Sequence, residues 1–562
     1  MDDKQNKHES KKMDDKPVLP EFNLLEEPWI LVLNTDGQTE TVSMLEVFER
    51  AHSLSCLAGE LPTQDIAILR LLLAVLHAVF TRNNEINEDA PNEDAPIENY
   101  DEAIQRWKTL WEMKKFPTVP IQEYFKKYRD RFYLFHPEYP FWQVPNLKKG
   151  TPYDAPKLFG DISESGNKVR LFQHRSGQSK ERLNEAEAIR WLIHINAFDD
   201  QSAKATRNED HLPVGVGWLG QLGVVYASGD TLFETLMLNF VLLTEDGDTW
   251  KGGSPVWKLP VKADERTKID LPQSQMSLLT LQSRRIFLQR DRLGITSYML
   301  LGGDFFNKEN AFIEQMTKWK KVEKGKGTQP AYLPKPHNTS KQLWRDFASL
   351  LRGMDSSRPP GIISWLERLK SERFLKNKLI NIQATSIKYG GGTQMSSVDD
   401  VWGDSLSVNA GFLSKCAQSF VSDITNLLKK TDDGVKALGV FAKDLLMAVG
   451  VKYVAEGKNK IEKLKSVSME RAYFNLDIPF RGWLLDIDPD MSNMHTESER
   501  WKKESERWKK IVHNTVTALA QEMVEEAGPK AFVGREDKKL GLITASSAHL
   551  KFFKAVKDAL KQ

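Results

Sequence analysis

The chain has 562 residues, of which 40% are hydrophobic and 28% are charged, and its formal net charge is +2. This length predicts about two to four domains at roughly 150 residues each, and the balance of charge confines any basic surface to local stretches. The two cysteines, Cys56 and Cys416, exclude a disulfide framework and zinc sites built mainly from cysteine. This cysteine usage suits a reducing compartment, and we expect the protein in the cytoplasm.

No stretch reaches the roughly 18 consecutive apolar residues of a membrane span. The longest apolar stretch, Ala67–Phe80, contains Arg70 and His77 and predicts a buried helix. Residues 1–20 lack the apolar region of a signal peptide, and we interpret them as a disordered, solvated tail. We therefore expect no contact with a membrane.

The region after the tail has a mixed pattern of strands and helices. Trp29–Leu33, a turn at Thr35–Gln38 and Thr39–Met44 predict a β-hairpin, and Ser43 is expected to cap the helix that follows. The remaining elements predicted before residue 258 are helices at 106–115, 121–128, 185–197 and 231–243 and a short strand at 224–227. Short strands with Gly and Pro turns are predicted over 258–388.

The pattern changes to long helices in the last third of the chain. The predicted helices are roughly 411–430, 434–455, 467–485, 498–527 and 541–561. We therefore predict an α+β protein, in which a large mixed α/β domain at 21–405 precedes a C-terminal helical bundle of four-helix type at 406–562. A duplicated Glu-Ser-Glu-Arg-Trp-Lys-Lys segment places Trp501 and Trp508 on one helix face. Packing on the bundle is the favoured interpretation, with a partner-binding stripe as the alternative.

The motifs that would indicate a cofactor or a metal are incomplete. Gly215-x-Gly217-x-x-Gly220 matches the dinucleotide pattern, but it precedes a predicted strand rather than a helix. The loop Asp486–Glu497 has acidic residues at EF-hand spacing, but Met491 occupies the position that requires glycine. We expect an acidic loop between helices there, and no cofactor or metal site.

The sequence contains no complete local catalytic motif. Gly302–Phe306 resembles a polymerase palm but lacks the second acidic residue, so one metal ligand would be absent. A binding or scaffolding subunit is therefore favoured over an enzyme. A nucleic-acid-processing enzyme with a dispersed active site remains the alternative, because catalytic groups can meet from distant parts of a sequence.

Local basic stretches suggest contacts with nucleic acid. The segment Lys318–Arg345 has eight basic residues and one acidic residue, and three aromatic residues (Trp319, Tyr332 and Trp344) lie among them. Such stretches suit binding to phosphates, although solvated loops have a similar composition. Together with an adjacent pair of arginines upstream, the candidate phosphate contacts are Arg284, Arg285, Lys320, Lys321 and Lys324.

A glycine-rich segment, Tyr389–Ser397, is the second nucleic-acid candidate. Gly390–Gly392 permit close approach of the backbone to a partner. Gln394, which follows them between Thr393 and Met395, has an amide that can both donate and accept hydrogen bonds. A plain flexible loop is the alternative interpretation.

Seven further motifs occur in order along the chain. They are Asn23–Ile30 with the hairpin after it, Phe132–Trp142, Gly217–Gly223, Thr231–Leu236, Leu278–Ile286, Leu343–Phe347 and Glu470–Phe474. In number and order they resemble those of the CasA family, the large subunits of type I-E CRISPR Cascade complexes. The resemblance extends from about residue 22 to the C-terminus.

This resemblance implies a non-catalytic subunit of a complex with other Cascade subunits and a crRNA. CasA proteins recognise the protospacer-adjacent motif (PAM) in double-stranded target DNA, help to open the duplex and recruit the helicase-nuclease effector. The family fold, an α/β domain followed by a helical bundle, agrees with the predicted boundary. A scaffolding protein without DNA contacts is a third hypothesis.

The resemblance also assigns expected roles to individual residues. The family's PAM-side loop corresponds to Ser202, Ala203 and Lys204, although this sequence has no glycine there. The loop toward the crRNA 5′ handle and a neighbouring subunit corresponds to Arg170, Leu171, Phe172 and Gln173. The hairpin tip that enters the duplex beside the PAM, the glutamine wedge, corresponds to Thr393, Gln394 and Met395. Arg284, Arg285 and Lys320 are candidates for the lysine finger of some members.

Overall fold

A computed structural model describes residues 21–81, 97–160, 175–201, 214–323, 329–353, 358–375, 379–390, 398–451, 455–489, 494–537 and 541–561. Its strands are β1 (Glu21–Asn23), β2 (Ile30–Asn34), β3 (Thr39–Val42), β4 (Leu54–Leu57), β5 (Tyr133–Phe135), β6 (Thr151–Asp154), β7 (Val224–Ser228), β8 (Arg284–Asp291), β9 (Gly294–Gly302), β10 (Trp319–Val322), β11 (Ala331–Pro334), β12 (Leu379–Tyr389), β13 (Val398–Asn409), β14 (Arg535–Asp537) and β15 (Gly541–Ile543). Its helices are α1 (Met44–Arg50), α2 (Pro62–Phe80), α3 (Tyr100–Met113), α4 (Thr118–Tyr128), α5 (Ala155–Leu158), α6 (Gln178–Glu181), α7 (Glu185–Phe198), α8 (Leu232–Asn239), α9 (Gln275–Leu279), α10 (Phe347–Leu350), α11 (Gly361–Ser371), α12 (Gln418–Ala448), α13 (Ala455–Leu485), α14 (Met494–Ala527), α15 (Pro529–Val533) and α16 (Ala545–Leu560).

The predicted α+β organisation is confirmed. Helices and short antiparallel sheets alternate up to Asn409, and long helices follow from Gln418. The first predicted hairpin is also confirmed, because β2 and β3 pair with Ile30 opposite Val42. Ser43 caps α1 as predicted: its hydroxyl accepts from the amide of Glu46, and the Glu46 carboxylate accepts from the amide of Ser43.

Helix α2 forms the centre of the N-terminal body. It is long and apolar enough to cross a membrane by length and composition alone, but 94% of its most apolar window is buried inside the fold. Arg70 lies on this helix without exposing charge, because its guanidinium makes two bonds of 2.8 and 3.0 Å to the buried carboxylate of Glu314. The sequence prediction of a buried helix is confirmed.

One three-stranded sheet has the strand order β13-β12-β7. Its strands β12 and β13 are the longest in the described part of the chain and pair antiparallel, from Leu379 opposite Asn409 to Tyr389 opposite Val398. Strand β7 pairs with the first half of β12, where Thr385 lies opposite Val224. The sheet therefore joins the glycine-rich hairpin at 389–398 to the middle of the N-terminal body.

One predicted break in the helical bundle is wrong. We predicted that one helix ends near residue 430 and that the next begins near 434, but α12 continues through the polar residues Thr431, Asp432 and Asp433 between them. Neighbouring helices satisfy these polar side chains, since Trp508 donates to the Thr431 hydroxyl at 2.9 Å and Tyr473 donates to Asp432 at 2.6 Å. Tertiary packing thus overrides a local turn signal. Helix α13 also begins twelve residues before the predicted start at 467.

The duplicated segment of α14 packs within the bundle. Trp508 is fully buried, and Trp501 lies against Phe420 and Trp483 with ring centroids 6.0 and 6.3 Å apart. The favoured interpretation of the duplication as a packing surface is confirmed. The acidic segment after α13 connects two helices as expected, although residues 490–493 lie outside the described ranges.

Aromatic stacking and an ion pair attach the bundle to the body. Trp344 stacks on Phe480 of α13 with centroids 4.7 Å apart. Arg481 of α13 binds both carboxylate oxygens of Asp404, at 2.9 and 3.2 Å. Because Asp404 lies in β13, the bundle contacts one strand of the glycine-rich hairpin directly.

Candidate nucleic-acid interface

The predicted wedge lies at the end of the β12–β13 hairpin. Residues 391–397, which include Thr393, Gln394 and Met395, are outside the described residues. The strands that carry them are paired up to Tyr389 and Val398, so the prediction of a hairpin at this position is confirmed. The roles of the three tip residues remain a prediction.

Tyr389, the last residue of β12, anchors this hairpin next to its tip. Its hydroxyl donates a 2.7 Å hydrogen bond to the carbonyl of Phe198, the last residue of α7. Burial, with the negative charge of Asp199 nearby, raises the pKa of Tyr389 well above its usual range, so the phenol stays a hydrogen-bond donor. This hydrogen bond joins the end of β12 to the end of α7, shortly before the predicted PAM-side segment.

The predicted PAM-side residues Ser202, Ala203 and Lys204 lie in 202–213, outside the described residues. The chain enters this segment through Asp199 and Asp200 and leaves it at Val214. Asp200 forms a buried ion pair with Lys157. Asp199 forms a buried ion pair with Arg284. We use the term buried junction for the two ion pairs and the tyrosine beside them: Lys157, Asp199, Asp200, Arg284 and Tyr389.

Arg284 and Arg285, predicted as phosphate contacts, lie in the protein interior. Their side chains are only 2% and 1% exposed, and each pairs with a buried carboxylate, Asp199 for Arg284 and Asp304 for Arg285. A guanidinium in a buried ion pair is already neutralised and is not accessible to a phosphate. The two arginines also donate to backbone carbonyls, so they organise the protein interior.

A glycine-rich segment, 215–223, passes beside the buried junction. The amide of Gly217 donates to the carbonyl of Asp199 at 2.9 Å, and a Cβ at this position would lie 2.4 Å from the Ala197 oxygen. A Cβ on Gly220 would lie 2.3 Å from the Tyr389 hydroxyl. These close approaches explain glycine at 217 and 220, and a positive φ of +70° favours glycine at 215, so packing and backbone conformation explain the pattern that resembles a dinucleotide motif.

The basic hairpin β10–β11 contacts the far end of the same segment. The amide of Lys318 donates to the carbonyl of Gly223 at 3.1 Å, and a ring nitrogen of His337 lies 3.0 Å from the carbonyl oxygen of Val224. The glycine-rich segment therefore connects the bases of three predicted nucleic-acid elements: the PAM-side segment, the wedge hairpin and the basic hairpin.

The basic hairpin divides its charges between two sides. Lys320 and Lys321 are exposed, and Lys321 is 2.9 Å from the exposed carboxylate of Glu323. Lys318 is buried and pairs with Asp346. Lys324 lies outside the described residues. Exposure leaves Lys320 and Lys321 as candidate phosphate contacts.

The two tryptophans of the basic stretch are not stacking platforms. Trp319 and Trp344 are buried, and Tyr332 packs on Phe312 with centroids 5.8 Å apart. The interpretation of interleaved aromatics as part of a binding surface is therefore wrong for the two tryptophans. Both tryptophans belong to the core, and the amino-acid sequence alone does not distinguish a buried tryptophan from an exposed one in such a stretch.

The remaining predicted loop, Arg170, Leu171, Phe172 and Gln173, lies in 161–174, outside the described residues. Immediately after it, Arg175 forms ion pairs with Glu187 at 3.0 Å and with Glu60 at 3.5 Å. The chain is thus fixed to the start of α7 where it leaves this segment.

His194 is a core residue. It lies on α7, is buried, and one ring nitrogen is 3.0 Å from the Thr63 hydroxyl. Burial lowers its pKa to about 3, so the ring is neutral at physiological pH. Among the residues that the structure describes, no group of three or more His, Cys, Asp or Glu side chains is arranged to hold a metal ion.

Comparison with known proteins identifies the family. A family model described as CRISPR-associated protein Cse1 matches residues 23–519. This chain belongs to the Cse1 family. The resemblance to CasA that the sequence motifs indicated is thereby confirmed, since Cse1 and CasA are two names for one family.

Relatives of known sequence and structure support this assignment. The CRISPR-associated protein CasA/Cse1 of Thermus thermophilus is 26% identical over 491 residues, which cover 84% of this chain and 89% of the relative. The crystal structure of Thermobifida fusca Cse1 is similar with a TM-score of 0.78 and 28% identity, over 96% of this chain and 98% of that one. A chain of a CRISPR RNA-guided surveillance complex shares the fold, with a TM-score of 0.69 and 16% identity over 97% of this chain and all of that one.

Sequence reasoning did not identify the residues of the buried junction as a unit. Asp199, Tyr389 and Arg284 are far apart in the sequence, and no local pattern links them. The glycine spacing from Gly217 to Gly223 was the available signal, because repeated glycines next to bulky residues often mark close backbone packing.

Proposed function

We propose that this protein is the large, non-catalytic subunit of a type I-E Cascade complex. In that complex it recognises the PAM in double-stranded DNA, helps to open the duplex for pairing with crRNA, and recruits the helicase-nuclease effector. Membership of the Cse1 family supports this proposal. The observation that carries it is the convergence of three predicted nucleic-acid elements on the glycine-rich segment 215–223.

The proposal gives each element a separate task. Ser202, Ala203 and Lys204 contact the duplex at the PAM, while Thr393, Gln394 and Met395 enter the base stack beside it. Exposed Lys320 and Lys321, with Lys324, bind phosphates. The segment with Arg170, Leu171, Phe172 and Gln173 contacts the crRNA handle and a neighbouring subunit.

The physical reason for a wedge is that a guide RNA cannot pair with a closed duplex. Unstacking one base step requires a few kcal/mol. A hairpin that is held firmly beside its tip can offset this free energy by occupying the place of the displaced pair. Tyr389 holds the end of β12 through its hydrogen bond to α7. The amide of Gln394 carries no charge, so none has to be desolvated as the side chain enters the stack.

The proposal is tested by purification and binding. The chain should co-purify with the other Cascade subunits and crRNA, and the assembled complex should select particular sequences from a duplex library with randomised PAM positions. The matched control is the complex assembled without this chain, which should lose the selection. Unchanged selection in that control would overturn the proposal.

A dispersed active site is the competing hypothesis, and the isolated chain tests it. Our proposal predicts that the isolated chain does not cleave duplex or single-stranded DNA with Mg²⁺ or Mn²⁺ present. Metal-dependent cleavage that survives repeated purification would favour the enzyme hypothesis instead.

A further inference from the structure

The base of the basic hairpin carries two lysines, Lys335 and Lys341, that were not among the predicted phosphate contacts. Both side chains are exposed, as is that of Lys320 on β10. Within the ranges that the structure describes, no carboxylate forms an ion pair with any of these three lysines. Their charges are therefore available to an anionic partner.

The pairing of β10 with β11 places two of these lysines on one face. Trp319 lies opposite Pro334, and one position closer to the base the amide of Lys335 donates to the carbonyl of Lys318 at 3.0 Å. Opposite residues of an antiparallel pair project to the same face, and so do alternate residues along a strand. Lys320 and Lys335 therefore share the face of the hairpin to which Lys318 also projects.

Lys341 lies near the same face. Burial lowers the pKa of Lys318, whereas its ion pair with Asp346 acts in the opposite direction. The positive charges of Lys335 and Lys341 add to the lowering. Because repulsion between charges falls with distance, both ammonium groups must lie close to Lys318. The base of the hairpin thus gathers exposed cations around one buried, neutralised lysine.

The backbone under Lys335 is held in place. Lys335 lies between Pro334 and Pro336. The two proline rings fix their own φ angles, and a residue before proline is restricted to extended conformations. The carbonyl oxygen of Lys335 also packs against Gly223, where a Cβ would lie only 2.1 Å from it. An ordered backbone reduces the conformational entropy that is lost when the charge engages a ligand.

We propose that Lys335 and Lys341 extend the phosphate-binding surface of the basic hairpin to its base, beside the glycine-rich segment 215–223. Together with Lys320 they follow the sugar–phosphate backbone of the target duplex. Diagonal neighbours in an antiparallel pair are roughly 7–8 Å apart, and the charges of one DNA strand recur about every 3.4 Å along the helix axis, so lysines at this spacing can face different phosphates. The inference rests on the proposed function and adds two contacts to it.

The test measures how the affinity of the assembled complex for a duplex with a scrambled PAM depends on salt. Lys335→Gln with Lys341→Gln should flatten the slope of log affinity against log salt by about 1.8, which is about 0.9 for each lost contact. Lys148→Gln with Lys149→Gln is the matched control, because it removes the same charge from two exposed lysines outside the hairpin. This control should keep the wild-type slope.

Lys335→Arg with Lys341→Arg separates the effect of charge from an effect on structure. The arginines retain both positive charges, so this variant should keep the wild-type slope. An unchanged slope in the glutamine variant would overturn the proposal. Equal flattening in the control pair, or in the arginine variant, would also overturn it.

Two further measurements separate this inference from the proposed function. Phosphate contacts are independent of sequence, so the scrambled duplex reports on them even if the wild-type complex proves to lack PAM preference. The ratio of affinities for preferred and scrambled PAM duplexes should be the same in the glutamine variant as in wild type, because both duplexes lose the same contacts. The amount of crRNA in the purified complex should also match wild type, and its loss would show that these lysines contact the guide RNA and would overturn their assignment to the duplex.

Discussion

The buried junction and the basic hairpin β10–β11 carry similar residue types but use them in opposite ways. In the junction, Arg284 is buried with Asp199. In the hairpin, Lys320 and Lys321 are exposed to solvent. Basic residues in a sequence therefore occur in two distinct settings, inside the scaffold and on the surface. In these two regions the buried arginine has a buried carboxylate partner, and the exposed lysines do not.

The strand geometry of β8 explains why both adjacent arginines are internal. Neighbouring residues of a strand point to opposite faces, so Arg284 and Arg285 reach different parts of the interior. Each meets its own carboxylate there, Asp199 at the end of α7 and Asp304 after β9. In β10 the same alternation separates the buried Trp319 from the exposed Lys320.

The largest expected difference between the two regions is in stability. Asp199→Ala leaves Arg284 as an unpaired buried charge and should lower the free energy of unfolding by about 3–5 kcal/mol. Lys320→Ala, on the exposed hairpin, should change it by less than about 0.5 kcal/mol. Denaturant unfolding of the two variants measures both values, and equal losses would contradict the contrast between the regions.

Asp65 offers a contrast to Asp199 of the buried junction. Asp199 is paired with Arg284, whereas burial is the main influence on the ionisation of Asp65. Burial raises the pKa of Asp65 to about 6, although the amide of Gly59 donates to its carboxylate at 2.8 Å. A carboxyl group whose pKa is raised on folding reduces stability as pH rises from the unfolded pKa, near 4, to the folded pKa, and the loss persists above it. Asp65→Asn should therefore be more stable than wild type at pH 8, by about 1–3 kcal/mol.

The pH dependence of this difference is the check. The advantage of Asp65→Asn in thermal midpoint should decline below pH 6 and level off near pH 4, where wild-type Asp65 is protonated in both states. An advantage that grows as the pH falls would show that the sign of the pKa shift is wrong.

The smallest effect on stability, but a specific effect on binding, is expected for the exposed lysines. Lys320→Gln with Lys321→Gln should weaken binding of all duplexes by a similar factor. Each lost phosphate contact should flatten the slope of log affinity against log salt by about 0.9. Lys148→Gln is the matched control, because Lys148 lies outside this hairpin. An unchanged slope in the Lys320 and Lys321 variant would show that the basic hairpin is only a solvated surface.

The sequence was sufficient for the α+β organisation, the first hairpin, the core helix α2 and the long helices of the bundle. It was not sufficient where tertiary partners decide the outcome. Residues 431–434 lie within a helix in which Trp508 and Tyr473, from neighbouring helices, bind the side chains of Thr431 and Asp432. Arg284 appeared to be a surface residue because its partner, Asp199, is 85 residues away in the sequence.

The family motifs predicted where a wedge and a PAM-side segment would fall, but not the contacts made by the described residues beside them. Tyr389 and Phe198 are joined by a hydrogen bond across 191 residues. Such a contact has no local sequence signal, since it depends on how α7 packs beside the β13-β12-β7 sheet. A family motif predicts where a loop falls in the sequence, whereas the contacts that support the loop can be read only from the structure.

The most direct test of the account is the rate at which the assembled complex opens DNA beside the PAM. The comparison uses Gln394→Ala and wild type on a fully paired target and on a target already mismatched at the first pair. Our account predicts that Gln394→Ala slows opening of the paired target only, because the mismatch removes the cost of the step that the wedge assists. Equal defects on both targets, or no defect on either, would contradict it.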